Sequence, residues 1–159
     1  MAIFIKYGAL DGEVTAKGYE KWMEVSSLQW GVGRGVSVGS GGGSKREATA
    51  PSVSEIVVTK TMDGISPLIL KEAIGGKSTD VKIHMTQTDQ SGKHIAYQKY
   101  LLGSTLISGY SISSGGDRPN ESMSMNFAKF DSEYIKIDDK FATATTGHVI
   151  YDITKAESS

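Results

Sequence analysis

Ser122-Met123-Ser124-Met125-Asn126-Phe127 alternates polar and apolar side chains without a miss. Successive side chains of an extended chain point to opposite faces. Met123, Met125 and Phe127 therefore share one face, and Ser122, Ser124 and Asn126 the other. That is the pattern of a half-buried strand. Phe130 breaks the phase by one residue, and a bulge near Ala128-Lys129 is predicted to absorb the slip. Upstream, Val81, Ile83 and Met85 alternate in the same way with Asp80, Lys82, His84 and Thr86. The link Asp89–Lys93, with Gly92 inside it, reads as a hairpin loop into Ile95–Leu102, and Gly103-Ser104 as a turn into Thr105–Ser113. Extended both ways, this reading places strands near 2–8, 19–30, 54–62, 80–89, 94–102, 105–114, 121–129, 131–138 and 147–153. Short β-rich runs separated by Gly, Ser, Asp and Asn, in a chain with 19 glycines and 3 prolines, predict a mainly β domain, a sandwich or a barrel.

One helix stands out at Ser66-Pro67-Leu-Ile-Leu-Lys-Glu-Ala-Ile-Gly75-Gly76. Ser66 suits the N-cap, because its hydroxyl can accept from an orphan backbone N–H. Pro67 suits the first helical position, where its missing donor costs nothing. Gly75 and Gly76 suit a left-handed C-cap. So short a helix is marginal alone and must rest on the β body.

Between Gly31 and Ser54 the chain has little core-forming power, and Gly39, Ser40, Gly41, Gly42, Gly43, Ser44, Lys45 and Arg46 occupy its centre. A loop of this length inside one small domain is usually functional. These residues read either as a mobile surface loop or, in the reading preferred here, as an arm that orders on a partner, between subunits or rings. Residues 1–155 read as one domain and 156–159 as a loose polar tail.

The length of 159 residues matches one ordinary domain able to hold a core without staples. With no cysteine, a disulfide framework or thiol nucleophile is excluded. Seventeen basic and eighteen acidic residues give a net charge of -1, which argues against a dedicated nucleic-acid binder or a polybasic membrane anchor. No apolar run approaches the roughly 20 residues that cross a bilayer. Met1–Gly8 lacks the basic start and long apolar stretch of a secretory signal and looks like a strand, so export would need a route that reads the folded protein.

The usual chemical signatures fail. His84, His94 and His148 have no cysteine and no acidic residue at ligand spacing, so no metal site or cofactor is expected. Gly75-Gly76-Lys77-Ser78-Thr79 resembles part of a phosphate loop, but Lys71 stands where the first glycine belongs, and the segment follows a helix instead of opening one. Gly31-Val-Gly-Arg-Gly35 opens no helix. Asp138-Asp139 and the pair Asp11 and Glu13 sit in turns, and no Gly-x-Ser-x-Gly elbow is present. No enzyme is expected. In Tyr19–Trp30, Met23 and Val25 point one way while Trp22, Leu28 and Trp30 point the other. A strand with apolar side chains on both faces meets a helix, a second sheet or another subunit.

Several stretches resemble the haemolysin-coregulated protein family of type VI secretion systems. Ile3-Phe-Ile-Lys6 with Asp11-Gly-Glu13 is similar to its start, and Lys17–Val32 to its second motif. Val53–Lys60, Asp63 and Ser66-Pro67 resemble the strand and helix that follow. The most specific stretch is Ser113–Lys129, and Tyr151-Asp-Ile153 resembles the terminal strand. Tyr19 stands where the family often has histidine, and Tyr151 where it often has tryptophan; both keep a ring. The resemblance implies an antiparallel β-barrel of about nine strands with one short flanking helix and a long extended loop. It implies a tube subunit forming a homo-hexamer, with rings stacked inside a contractile sheath behind spike and baseplate proteins. Effectors would travel in the lumen, and the protein, assembled in the bacterial cytoplasm, would be delivered outside or into a target cell without a cleaved signal. Ser113, Ser114, Gly115, Gly116, Asp117 and Arg118, in the best-matched loop, become lumen candidates. From the residues alone, a monomeric barrel holding an apolar ligand and a hydrolase with an unrecognised site remain alternatives, and a phage tail-tube protein shares the general plan.

Overall fold

Asn120–Asn126 is a strand, and Glu121, Met123 and Met125 point into the core as the alternation requires. The computed structural model describes residues 1–39 and 46–158. Among the described residues the elements are β1 (Ala2–Tyr7), β2 (Met23–Val25), β3 (Ser27–Gln29), β4 (Val32–Gly33), β5 (Val36–Val38), β6 (Arg46–Ala48), β7 (Ser52–Val53) and β8 (Ile56–Thr61). Then follow α1 (Ser66–Gly75), β9 (Thr79–Thr88), β10 (His94–Ser113), β11 (Asn120–Asn126), β12 (Lys129–Ile137), β13 (Thr143–Asp152) and β14 (Glu157–Ser158). Ten strands form one antiparallel sheet, and β4 with β7 and β5 with β6 form two small ribbons.

The 20-residue strand β10 organises the sheet. Its first half lies between β9 and β12, while its second half pairs with β11, which continues to β8 and β3. The expected turn at Gly103-Ser104 is instead a kink: the ladder to β9 slips between Leu102 and Thr105, and Ser104 takes a positive φ of 50°. The strand bends without reversing, and one strand thereby serves two portions of the sheet. The expected bulge at Ala128-Lys129 is also a change of partner. β11 ends at Asn126, Ala128 N donates to Gly103 O at 3.0 Å, and β12 begins at Lys129 on the other half of β10. Phe127 and Phe130 both stay in the core across this crossing, with ring centroids 5.7 Å apart.

Tyr19–Trp30 is not one strand. It breaks at Ser26 into β2, which pairs β1, and β3, which pairs β8. The sheet therefore does not close into the continuous barrel that was expected; the seam between β1 and β8 is a broken pair of three-residue strands. The break also separates the two tryptophans. Trp30 packs on Phe130 and Tyr100 in the main core, whereas Trp22 lies against His84 on the opposite face of the sheet. That face explains why Ile3, Phe4 and Ile5 are all buried: Ile3 and Ile5 join the main core, and Phe4 is covered by Tyr19, stacked at 4.4 Å, from the loop after β1.

The helix ends differ from the sequence reading. Ile65 occupies the N-cap with no side-chain cap bond, and Ser66 is already helical. The Ser66 hydroxyl accepts from Asp63 N at 3.0 Å and donates to Glu121 Oε1 at 2.8 Å, so a deeper partner has claimed it. Gly75 ends the helix and Gly76 follows at φ -70°, an extended cap and not a left-handed one. A Cβ on Gly76 would fall 2.6 Å from Glu72 O, so close approach explains that glycine. Glu157 and Ser158, within the polar tail, pair with Asp152 and Tyr151.

Candidate functional site

Two arrangements of side chains and one projecting ribbon stand out. The first is a buried ionic knot where α1 meets the sheet. Lys60 on β8 and Glu121 on β11 are 3 % and 2 % exposed, which only a fully partnered charge pair tolerates. Lys60 Nζ donates to Glu121 Oε1 at 2.6 Å, to Asp63 Oδ1 at 2.7 Å and to Thr61 O at 2.9 Å, using all three ammonium protons. Glu121 also accepts from the Ser66 hydroxyl, and its second oxygen accepts a very short bond from the Tyr110 hydroxyl. Burial works to raise the Glu121 carboxyl, but the bonds from Lys60, Tyr110 and Ser66 outweigh it and hold it below the ordinary carboxylate range. Burial, and then the Glu121 bond and charge, push the Tyr110 phenol up to about 12. The knot ties three strands to the start of the helix. Its centre, Lys60 and Glu121, is buried, while Asp63 at its rim lines a cleft together with Glu13, Glu24 and His94. Lys60, Tyr110 and Glu121 were not singled out from sequence, yet a signal was there, since Glu121 lies in phase with Met123 and Met125 on the apolar face.

The second arrangement lies on the outer face of the sheet. Across neighbouring strands the register aligns Phe4, His84, Lys99, Glu133 and His148. The loop after β1 folds back over one end, where the Tyr19 hydroxyl meets His84 Nδ1 at 3.1 Å and Trp22 packs on the same ring at 4.8 Å. A cleft of about 650 Å³ opens beside it, lined by Lys17, Lys93, Lys99, His94, Glu133 and Phe141 among others. Burial, then the charges of Lys99 and Lys82, lower the His84 pKa to about 4 from its ordinary 6.5. Between these values the unfolded chain binds a proton that the folded chain refuses. Stability is therefore intact above pH 6.5 and falls as the pH drops towards 4. Allowing for solvent screening at a half-buried ring, the expected loss is on the order of 2 kcal/mol. Urea titrations between pH 7 and 4 check this, and His84→Gln is expected to flatten the slope in that window.

The ribbon is the segment predicted to be an arm. Val32 and Gly33 pair with Val53 and Ser52, and Val36–Val38 with Arg46–Ala48. Arg34 Nε donates to Thr49 O, and Gly35 N to Thr49 Oγ1, each at 2.9 Å. It is a hydrogen-bonded projection that lacks a core of its own: Val32, Val36 and Val38 are 61 %, 59 % and 70 % exposed.

The model of the family described as "Type VI secretion system effector, Hcp" matches residues 4–134. The chain belongs to the Hcp family. A structure described as a type six secretion system protein is similar at a TM-score of 0.88 and 22% identity, covering 99% of each chain. Hcp1 from Salmonella typhimurium is similar at 0.76 and 22% identity, over 99% of this chain and 98% of that one. A type VI secretion system effector from Yersinia pestis is similar at 0.70 and 18% identity, over 94% and 98%. At such identities these likenesses are likenesses of fold. No curated protein matches the sequence.

Within this Hcp-family chain the candidate residues lie apart. Gly39 and Arg46 sit on the exposed ribbon, and Ser40, Gly41, Gly42, Gly43, Ser44 and Lys45 lie outside the described residues. Ser113 ends β10 opposite Asn120, so Ser114–Arg118 form the exposed tip of the β10–β11 hairpin, with Gly116 at φ 105°. Ser66 is buried at the helix start, and Pro67 beside it is exposed. The stretch Ser113–Lys129 thus divides between an exposed tip and a core strand that carries Glu121, Met123 and Met125.

Proposed function

We propose that this protein is a structural subunit of a type VI secretion inner tube. Its copies form hexameric rings, and the rings stack inside a contractile sheath, meet the spike and baseplate at the tip, and carry effector proteins in the lumen. The protein is assembled in the cytoplasm and delivered outside the cell or into a target cell. The observation that carries this reading is the Hcp family match over residues 4–134. The geometry supports it: among the described residues, Val32, Val36 and Val38 of the β4–β7 and β5–β6 ribbons are exposed. A mixed surface with a net charge of -1 lets copies pack without strong repulsion. Stacked use of one face against a different face of the next copy closes a ring when the rotation allows. Sedimentation is the test. The mass is expected near six times 17.0 kDa, with annular particles by negative stain. A single species at 17.0 kDa at high concentration overturns the reading.

A further inference from the structure

The cleft of about 650 Å³ on the outer face of the sheet has a chemistry that the tube reading does not use. Its lining includes Lys17 from the loop after β1, Lys93 from the β9–β10 loop and Lys99 from β10. Among the described residues none of these three lysines makes an ion pair. The nearby carboxylates are held elsewhere. Glu20 accepts from Gly18 N at 2.9 Å, and Asp89 from Ser91 N at 2.8 Å and Lys93 N at 2.9 Å. Asp138 accepts from Lys140 N and Ala142 N. Glu133 is the one carboxylate in the lining; it stands opposite Lys99 across the ladder, yet accepts from the Thr145 hydroxyl at 2.9 Å. The cleft therefore carries an excess of positive charge, and a concave wall of low dielectric focuses such a field.

The remaining lining is largely apolar. Ile95 is half-buried there, and Ala96 and Ile135 are buried. Phe141 joins them from the β12–β13 loop at φ 58°, a backbone conformation that a bulky residue seldom adopts. Its loop is fixed by main-chain bonds, Phe141 N to Asp138 O at 2.9 Å and Asp138 N to Ala142 O at 3.1 Å. Glycine would make this turn without strain, so a phenyl ring is kept beside the cleft at a conformational cost. The cleft volume also falls within the roughly 300–1,000 Å³ of small-molecule sites.

We propose that this cleft binds a small aromatic phosphate ester, with the phosphate among Lys17, Lys93 and Lys99 and the ring against Phe141. Lysine ammonium groups are point charges without the planar fork of arginine. Three of them on separate segments suit a dianion approached from several sides better than a carboxylate gripped in a plane. The lining belongs to one chain, so the inference stands apart from the ring reading.

Isothermal titration calorimetry of the full chain with phenyl phosphate tests it, with inorganic phosphate, phenol and a tetraglutamate peptide as comparisons. Phenyl phosphate is expected to bind with a Kd of about 1 mM or below, about 10-fold tighter than inorganic phosphate or phenol. The affinity should fall as salt is added. Lys93→Gln with Lys99→Gln is expected to weaken phenyl phosphate by at least about 10-fold. Phe141→Gly, which removes the ring and relaxes the positive φ, is expected to weaken it about 5-fold and to leave inorganic phosphate unchanged. Absence of binding up to about 10 mM overturns the proposal. So does a Phe141→Gly chain that binds phenyl phosphate as the wild type does, or inorganic phosphate that binds as tightly as the ester, because charge alone would then suffice. Tetraglutamate binding tighter than phenyl phosphate overturns it in favour of an acidic polypeptide. Sedimentation of the same samples reads the ring separately, so either conclusion can fail alone.

Discussion

Lys60→Met is expected to destabilise the domain by about 3–5 kcal/mol, because it leaves a carboxylate buried without its cation. Glu121 would keep the Ser66 and Tyr110 hydroxyls as donors and lose the only positive charge in the knot. Two neutral donors do not offset the desolvation of an ionised carboxyl, so Glu121 in the variant takes up a proton at a higher pH than its ordinary 4.5. The wild-type sign is the reverse. There Glu121 titrates below 4.5, and its contribution is present above that value and lost as the pH falls through the lower folded value. The deficit of Lys60→Met should therefore shrink in acid. Urea unfolding followed by tryptophan fluorescence at pH 7.5 and pH 5 measures both effects. Protein concentration must be held fixed, because assembly stabilises any folded copy. Pairing the change with Glu121→Gln removes the orphaned charge and is expected to recover more than half of the loss. A single-variant cost below about 1 kcal/mol would mean that water reaches the pair after all.

Gly12→Ala is expected to cost about 3 kcal/mol, through a clash that backbone cannot relieve. A Cβ there would lie 2.3 Å from Trp22 O and 2.8 Å from Met23 N. Gly12 N donates to Lys21 O at 2.8 Å, and Val14 N to Trp22 O at 3.1 Å, so both sides of the contact are main chain. Relief requires the loop between β1 and β2 to lift, and that loop carries Tyr19 over Phe4 and places Trp22 on His84. The variant should therefore do more than lower the unfolding midpoint. His84 should gain water, and its pKa should climb from about 4 towards 6.5, which proton NMR of the imidazole reads directly. Gly31→Ala is the control: a Cβ on Gly31 meets nothing within 4 Å, and its effect should stay within about 0.5 kcal/mol. If Gly12→Ala leaves both stability and the His84 titration unchanged, the loop does not clamp the sheet as drawn.

Strand character was legible wherever one face was buried and the other wet. Met123 and Met125, or Val81 and Ile83, mark their strands because alternation is a local property of an extended chain. The broken places were harder, since each is a change of partner and not a change of local conformation. Ser104 and Ala128 carry turn-like composition, yet one bends a continuous strand and the other hands the chain to a different stretch of β10. The ribbons leave no strand signal in the sequence, because exposed Val36–Val38 and Arg46–Ala48 have no buried face to produce a period. Local sequence suggests a cap for the Ser66 hydroxyl, because its actual partner, Glu121, is 55 residues away in sequence.

The sequence by itself determined a cysteine-free, mainly antiparallel β domain with one short helix, and its motifs pointed to the family that the match over residues 4–134 establishes. The strand and helix character follows from side-chain periodicity and composition, and the family from the resemblance of its motifs; neither needs knowledge of distant neighbours. The tertiary structure alone decided that the sheet stays open at Ser26, that Lys60 and Glu121 neutralise each other beneath the helix, and that among the described residues β14 pairs with β13 at Tyr151 and Asp152. Each depends on which strand lies beside which, and strand neighbours are chosen by packing across the whole chain.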